Sequence, residues 1–340
     1  MTGRIVRFLL SCVIVITVGF VLLAISSGTI YGTFRWFIAG VFSSLPHFVE
    51  FLNRLLPLLL TGAAVLVVFR TGVFNIGAEG QMLMGGITAT FIALHFPEIP
   101  LLHLCITLLM AALMGGLWGV VPGFIKVVSG VSEVITSIIM NFVGLYVSLY
   151  ILNHHIKDPE AGYLVSYTLP ETARLPQISG LNSGIFVAVG LVLILYFFLH
   201  RTPAGFNMRI VGYNRRFARY VGIDVERSEI LAQLISGMLA GLAGGMEVCG
   251  LYGKYLWHYF TGLGFEGIPV ALMSGLEPLM LPVSAAFFSY MKTGTYLMGR
   301  MSAVTPEVGM IVNGLMVIIL ASYGFLGFLR MRETSSRRMK

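Results

Sequence analysis

Charge is scarce in this chain. Asp, Glu, Lys and Arg make up 11% of its 340 residues, against 57% hydrophobic, and the mean hydropathy is +0.88. A soluble core could not bury that much apolar surface, so a water-soluble globular fold is excluded. Cysteine is nearly absent. Cys12, Cys105 and Cys249 show no metal spacing, and an odd count makes no disulfide framework. They read as packing residues. His154 and His155 are adjacent but have no further ligands at metal spacing, so no metal site is expected. No Ser–His–Asp layout and no pair of carboxylates stands out. The stretch GLYGKYL, 250–256, faintly echoes a phosphate-binding loop. It lacks the first glycine, and Tyr255 stands where a Ser or Thr is required. The chain is therefore expected to be neither an ATPase nor an enzyme, with no catalytic residue and no cofactor of its own.

What is abundant is apolar sequence of membrane-spanning length. A span needs about 20 mostly apolar residues. The expected spans are 8–30, 46–69, 77–95, 101–124, 133–152, 183–200, 228–248, 255–275, 279–298 and 305–328. The fold class is thus all-α, a polytopic membrane protein of about ten transmembrane helices in a single domain, 1–340. Forty glycines suit close helix packing in lipid. The eighth and ninth spans are interrupted by Gly and Pro. The apolar stretch after Arg4 and Arg7 is long for a cleaved signal peptide, and an uncleaved first span is favoured.

The net charge of +7 does not point to nucleic acid, because the basic residues sit at the ends of apolar spans. With the N-terminus inside, 15 of the 22 Lys and Arg residues fall on the inner side, 6 on the outer, and Lys292 within a span. That asymmetry favours both termini in the cytoplasm. Segment 153–182 becomes the one long outer loop, and its Pro and Gly content argues against a long helix. Segment 201–227 becomes a basic cytoplasmic loop. Within it, Phe217, Tyr220 and Val221 fall at i, i+3 and i+4 and share one helix face, with Arg215, Arg216 and Arg219 pointing elsewhere. A small apolar face on a cytoplasmic loop is suited to touching another protein.

The second informative segment is FRTGVFNIGAEGQMLMGG, 69–86. Asn75, Glu79 and Gln81 are polar groups in apolar surroundings, which is costly in lipid unless they face a cavity or a partner. Two readings stay open. One is a broken helix near a translocation path; the other is a tight turn with Arg70 and Glu79 paired across it. A weak echo, TGLGFEGIPVALMSG at 261–275, joins Gly, Phe265 and Glu266 to an apolar helix in the second half. Interrupted segments at matching places in two halves point to a transport site, as in inverted repeats, although Gly and Pro are common in membrane helices anyway. Ser132 before Glu133 fits a helix start. Asn141, half-way along its span, reads more readily as an interhelical hydrogen bond than as a ligand contact.

These blocks resemble a known family. FNIGAEGQMLMGG, SGVSEVITSIIMN, RTPAGFNMRIVGYNRRFARYVGI and GFEGIPVALMSGLEP are similar to blocks of the permease subunits of bacterial ABC importers, in the branched-chain amino acid and ribose permease superfamily. The first block looks like the signature of the nucleoside (purine) importers. Departures are Ser132 for the usual Asn, Ile210 for Ala, Arg215 for Pro, Phe217 for Ala, Pro269 for Ala and Glu277 for Asn.

The resemblance implies a transport subunit of the cell inner membrane that moves nucleosides inward. The alternatives are the same machine for a sugar such as ribose or galactose, or a motor-independent secondary transporter. It implies a separate cytoplasmic ATPase that binds ATP and Mg, a second permease subunit forming a heterodimer, and an external substrate-binding lipoprotein. Asn214, Arg215, Arg216, Phe217, Ala218, Arg219, Tyr220, Gly222 and Ile223 would form a coupling helix docked on the ATPase, with Phe217 and Tyr220 as anchors. The substrate would pass near Phe74, Asn75, Glu79, Gln81, Asn141, Phe265 and Glu266.

Overall fold

The computed structural model describes residues 30–301 and Gly314, with side chains from Arg35 onward. All but the last residue of the expected 8–30 span, and the 305–328 span apart from Gly314, lie outside the described residues. So do Cys12 and the cations at both ends. The helices are α1 (Ile30–Ala39), α2 (Leu45–Arg70), α3 (Ala78–His95), α4 (Leu102–Ser129), α5 (Glu133–Ile151) and α6 (Gly184–Arg201), then α7 (Pro203–Tyr213), α8 (Arg215–Tyr220), α9 (Val225–Glu247), α10 (Leu263–Met273) and α11 (Leu281–Met301). The sheet content among the described residues is one two-residue hairpin, β1 (Gln177–Ile178) against β2 (Leu181–Asn182). The protein is an all-α polytopic membrane protein.

Five described helices are long and apolar enough to cross a membrane: Leu45–Arg70, Leu102–Ser129, Glu133–Ile156, Gly184–Arg201 and Val225–Tyr252. Two of them extend past α5 and α9 through one wide turn each, Leu152–Ile156 and Val248–Tyr252. The expected eighth span, 255–275, is not a full-length helix. Only Leu263–Met273 is helical there, 11 residues, or about 16 Å at the α-helical rise, well short of the ~30 Å hydrocarbon core. With Pro278–Met301 it makes a pair bent by 112°. Two features stop a continuous span. Gly262 sits at φ +80, which ends the extended segment before α10, and Leu276 at φ +57 turns the chain after it.

The chain divides into two compact units, Leu56–Ile268 and Met1–Leu55 with Pro269–Lys340. In the larger, α3, α4 and α9 pack against one another through glycine. A side chain on Gly85 would strike the Gly241 carbonyl. One on Gly241 would lie 2.5 Å from the Ala111 oxygen and 2.8 Å from the Gly115 Cα. Bare backbones in contact maximise dispersion where lipid offers no hydrophobic drive between helices. Helix α3 itself carries Glu79 and Gln81 and is buried along most of its first three turns. The 153–182 segment lies over the end of α9: the Leu175 amide donates to the Cys249 carbonyl at 2.9 Å, and the Tyr255 amide to Ser166 Oγ at 2.8 Å. In the smaller unit, Ser289 Oγ donates to the Phe51 carbonyl at 2.5 Å, and the Arg54 guanidinium lies 4.9 Å over the Tyr296 ring.

Gly241→Val is expected to separate these three helices. Overpacking a dense core costs about 1–3 kcal/mol, and more where backbone is the obstacle. The yield of monodisperse protein from mild detergent should fall several-fold; an unchanged yield and melting temperature would refute the contact.

Candidate functional site

The stretch between α2 and α3, residues 71–77, is not helical; its first amides bond α2 carbonyls, and the Ile76 backbone and the Gly77 amide are met by two side chains of α5 and by its own Asn75. Asn141 of α5 takes the Gly80 amide on Oδ1 at 2.8 Å and donates from Nδ2 to the Ile76 carbonyl at 3.1 Å. Ser137 Oγ accepts from the Ile76 amide at 3.3 Å. Asn75 Oδ1 accepts from the Gly77 amide at 2.6 Å. The Gln233 amide of α9 closes the ring. In one orientation its oxygen accepts from Asn75 Nδ2 at 3.1 Å, and in the other its nitrogen donates to the Gly119 carbonyl at 2.7 Å. A non-helical stretch between two buried helices leaves amides and carbonyls that must find partners, and this ring supplies part of them.

Glu79, the second residue of α3, is fully buried. Its carboxylate accepts from Thr261 Oγ1 at 2.8 Å and from the Gly262 and Gly264 amides at 2.9 and 2.8 Å. It therefore caps the N-terminus of α10 from another helix. The open amides and positive dipole end of α10 compensate its charge. A side chain at Gly264 would strike the Glu79 backbone, so the contact demands glycine there. The two Thr–Gly turns of the echo share a backbone feature: Gly72 has φ +78 and Gly262 φ +80. Gln81 Oε1 is buried and has no hydrogen-bond partner among the described residues. Phe74 is more open and stacks on Phe69 with centroids 4.8 Å apart.

The basic loop forms two helices. Thr202 caps α7, with Pro203 at its first position, and Asn214 Oδ1 accepts from the Phe217 amide at 3.0 Å to cap α8. Helix α8 ends at Gly222, φ +83. Ala218 is buried in a small cluster with Val211 and Val225, and Ile223 packs against it. Phe217, Tyr220 and Val221 are 50%, 90% and 51% exposed. The apolar face anticipated from spacing thus points away from the chain. Arg215 and Arg219 turn back onto α9, pairing with Glu229 and Glu226. The buried Glu229 also takes Lys126 Nζ at 3.3 Å, and the same ammonium lies 2.9 Å from Glu133 at the start of α5. This network ties α8 to the end of α4 and the starts of α5 and α9. Residue 215 is a strut here, which a proline could not be.

Residues 47–321 match the family described as "Branched-chain amino acid transport system / permease component". The chain belongs to this permease family. The permease is 33% identical over 321 residues to the guanosine ABC transporter permease protein NupP of Bacillus subtilis, covering 92% of each chain. It is 30% identical over 316 residues to the nucleoside ABC transporter permease protein NupB of Lactococcus lactis subsp. cremoris, covering 88% and 86%. It is 28% identical over 304 residues to the glucose ABC transporter permease protein TsgB13 of Haloferax volcanii, covering 85% and 80%.

Within the permease, the fold brings Asn75, Glu79, Gln81 and Asn141 together, all at most 2% exposed. Of these, Asn75 and Asn141 belong to the hydrogen-bonded ring; Phe74 is exposed, Glu266 is half-buried, and Phe265 contacts Phe260 at 5.9 Å. The Glu79 carboxylate is bonded to the 261–264 turn, which the turn reading of this segment did not foresee. Sequence reasoning missed Gln233, Ser137, Thr261 and Gly264. A glutamine in the middle of an apolar span was a signal of the same kind as Asn141. Nothing in the sequence marked Thr261 and Gly264 as ligands of a residue 182 or more positions away.

Proposed function

We propose that this permease subunit imports nucleosides in an ATP-driven assembly, receiving them from an external binding protein. The observation that carries the reading is the 33% identity to a guanosine permease over 92% of each chain. In this reading Glu79 and Asn141 hold the break rigid. Gln81, with its open acceptor, Asn75 and the exposed Phe74 face the substrate, and Phe265 and Glu266 flank the same turn. A separate ATPase hydrolyses ATP with Mg, and a second, different permease subunit completes the path. Both termini are cytoplasmic, which puts α8 on the same side as the ATPase. Residues 214–223 are the coupling helix: motion of the ATPase reaches α5 and α9 through the Arg215–Glu229–Lys126–Glu133 network, and the bundle rocks about its broken helices.

The similarity to a glucose permease supports a second reading, the same machine carrying a sugar. Uptake of labelled guanosine, adenosine, ribose and galactose by a strain with and without this chain separates the two. Nucleoside uptake that depends on the chain is expected. Dependence for sugars alone would replace the reading with the second one.

A further inference from the structure

The outward face of α5 differs from those of the other long helices. The uncovered side chains of α4 include Leu109, Leu113, Leu117 and Phe124, and those of α6 Phe186, Leu193, Ile194 and Phe197: hydrocarbon without a polar atom, which suits lipid. Helix α5 instead presents Phe142, Tyr146 and Tyr150, which are 49%, 66% and 58% exposed. They share one open face of α5 with Ile139, Val143 and Val147, and no charged side chain lies on it. In the span Glu133–Ile156, Tyr146 lies about 20 Å from one end and about 15 Å from the other. Tyrosines that face lipid sit at the headgroup level, where the hydroxyl is wet; a hydroxyl at mid-depth against hydrocarbon is left without a partner. The aromatic strip also has a direction. Phe142 meets Phe260 edge-on at 5.1 Å, and Phe260 meets Phe265 at 5.9 Å, in the turn that Glu79 caps. The same helix, through Asn141, holds the broken segment.

We propose that Tyr150, Tyr146 and Phe142, continued by Phe260, form one wall of the substrate route and bind the neutral heterocyclic base of a nucleoside by stacking. This rests on the nucleoside reading above. The absence of charge along this face disfavours phosphorylated or zwitterionic cargo, which would lose hydration with no counter-charge. Flat neutral rings stack on aromatic faces whatever their substitution. The two tyrosine hydroxyls supply hydrogen bonds without fixing one base.

The test uses the assembled transporter in cells. Tyr146→Leu keeps an apolar side chain on an uncovered surface and so leaves the fold intact. It should raise the half-saturating guanosine concentration about tenfold, the scale of one lost stacking contact, while Tyr146→Phe stays within about twofold. A thiol placed by Tyr146→Cys, with Cys12→Ser and Cys105→Ser, should react with a water-soluble maleimide and be protected by guanosine but not by ribose. Reaction with a lipid-soluble maleimide alone, or an unchanged half-saturation in Tyr146→Leu, would overturn the proposal. Failure of the nucleoside reading shows separately, as absent guanosine uptake by the unmodified transporter.

Discussion

Phe217→Asp combined with Tyr220→Asp should abolish chain-dependent uptake and co-purification of the proposed ATPase while membrane insertion stays normal. The argument is one of surfaces. Helix α8 has six residues and is held to the chain by Ala218 and by the ion pairs of Arg215 and Arg219, not by its aromatic rings. Phe217 and Tyr220 contribute little to the fold because half or more of each is uncovered. An apolar ring offered on a helix that docks in a groove is an interface anchor, worth at least ~2 kcal/mol. Losing two anchors, and burying two carboxylates in their place, weakens docking by about a thousandfold or more. A thiol placed at Asn214 should in the same cells be labelled only from the cytoplasm. Full uptake by the double variant would remove the coupling role, and labelling from outside would invert the topology.

Glu79→Ala gives the second large effect, through a different cause. The substitution strips three donors, Thr261 Oγ1 and the Gly262 and Gly264 amides, of their acceptor at a site closed to water. Each buried donor left unsatisfied costs about 1–3 kcal/mol. The start of α10 also loses the anion at its positive end. The expected outcome is a drop of several degrees in melting temperature in detergent and at least a tenfold fall in uptake. Glu79→Gln should be intermediate, because one amide oxygen still accepts while the amide nitrogen faces donors. Wild-type stability and transport in Glu79→Ala would show that the cap is dispensable. The contrast with the first prediction is useful. Changes in α8 should spare stability and stop transport, whereas Glu79 should damage both.

Much of this was open to reading in one dimension. Apolar runs of about 20 residues place α2, α4, α5, α6 and α9 within a few residues of their observed limits, because lipid leaves helix as the way for an isolated segment to satisfy its backbone. Ser132 as a cap, the helical face of Phe217 and Tyr220, and the turn at Gly222 are local features set by neighbours in sequence. The full-length span at 255–275 is where pattern failed. Its composition is apolar enough, but the Gly262 turn and the partnership with Glu79 make a short capped helix. Glu79 itself illustrates the limit. Its oddness in an apolar stretch was visible; its partners were not.

The chain alone thus determined a bundle of helices in lipid, a break after α2 and an amphipathic rod in a basic loop, because hydropathy, glycine geometry and helical periodicity act over a few residues. The tertiary structure decided which polar groups meet. Asn75 with Gln233, Asn141 with Gly80, Glu79 with Gly264 and Arg215 with Glu229 are 158, 61, 185 and 14 positions apart. The first three pairings follow from how closely glycine-lined helices approach, and buried hydrogen-bonding groups depend on the helix that arrives beside them.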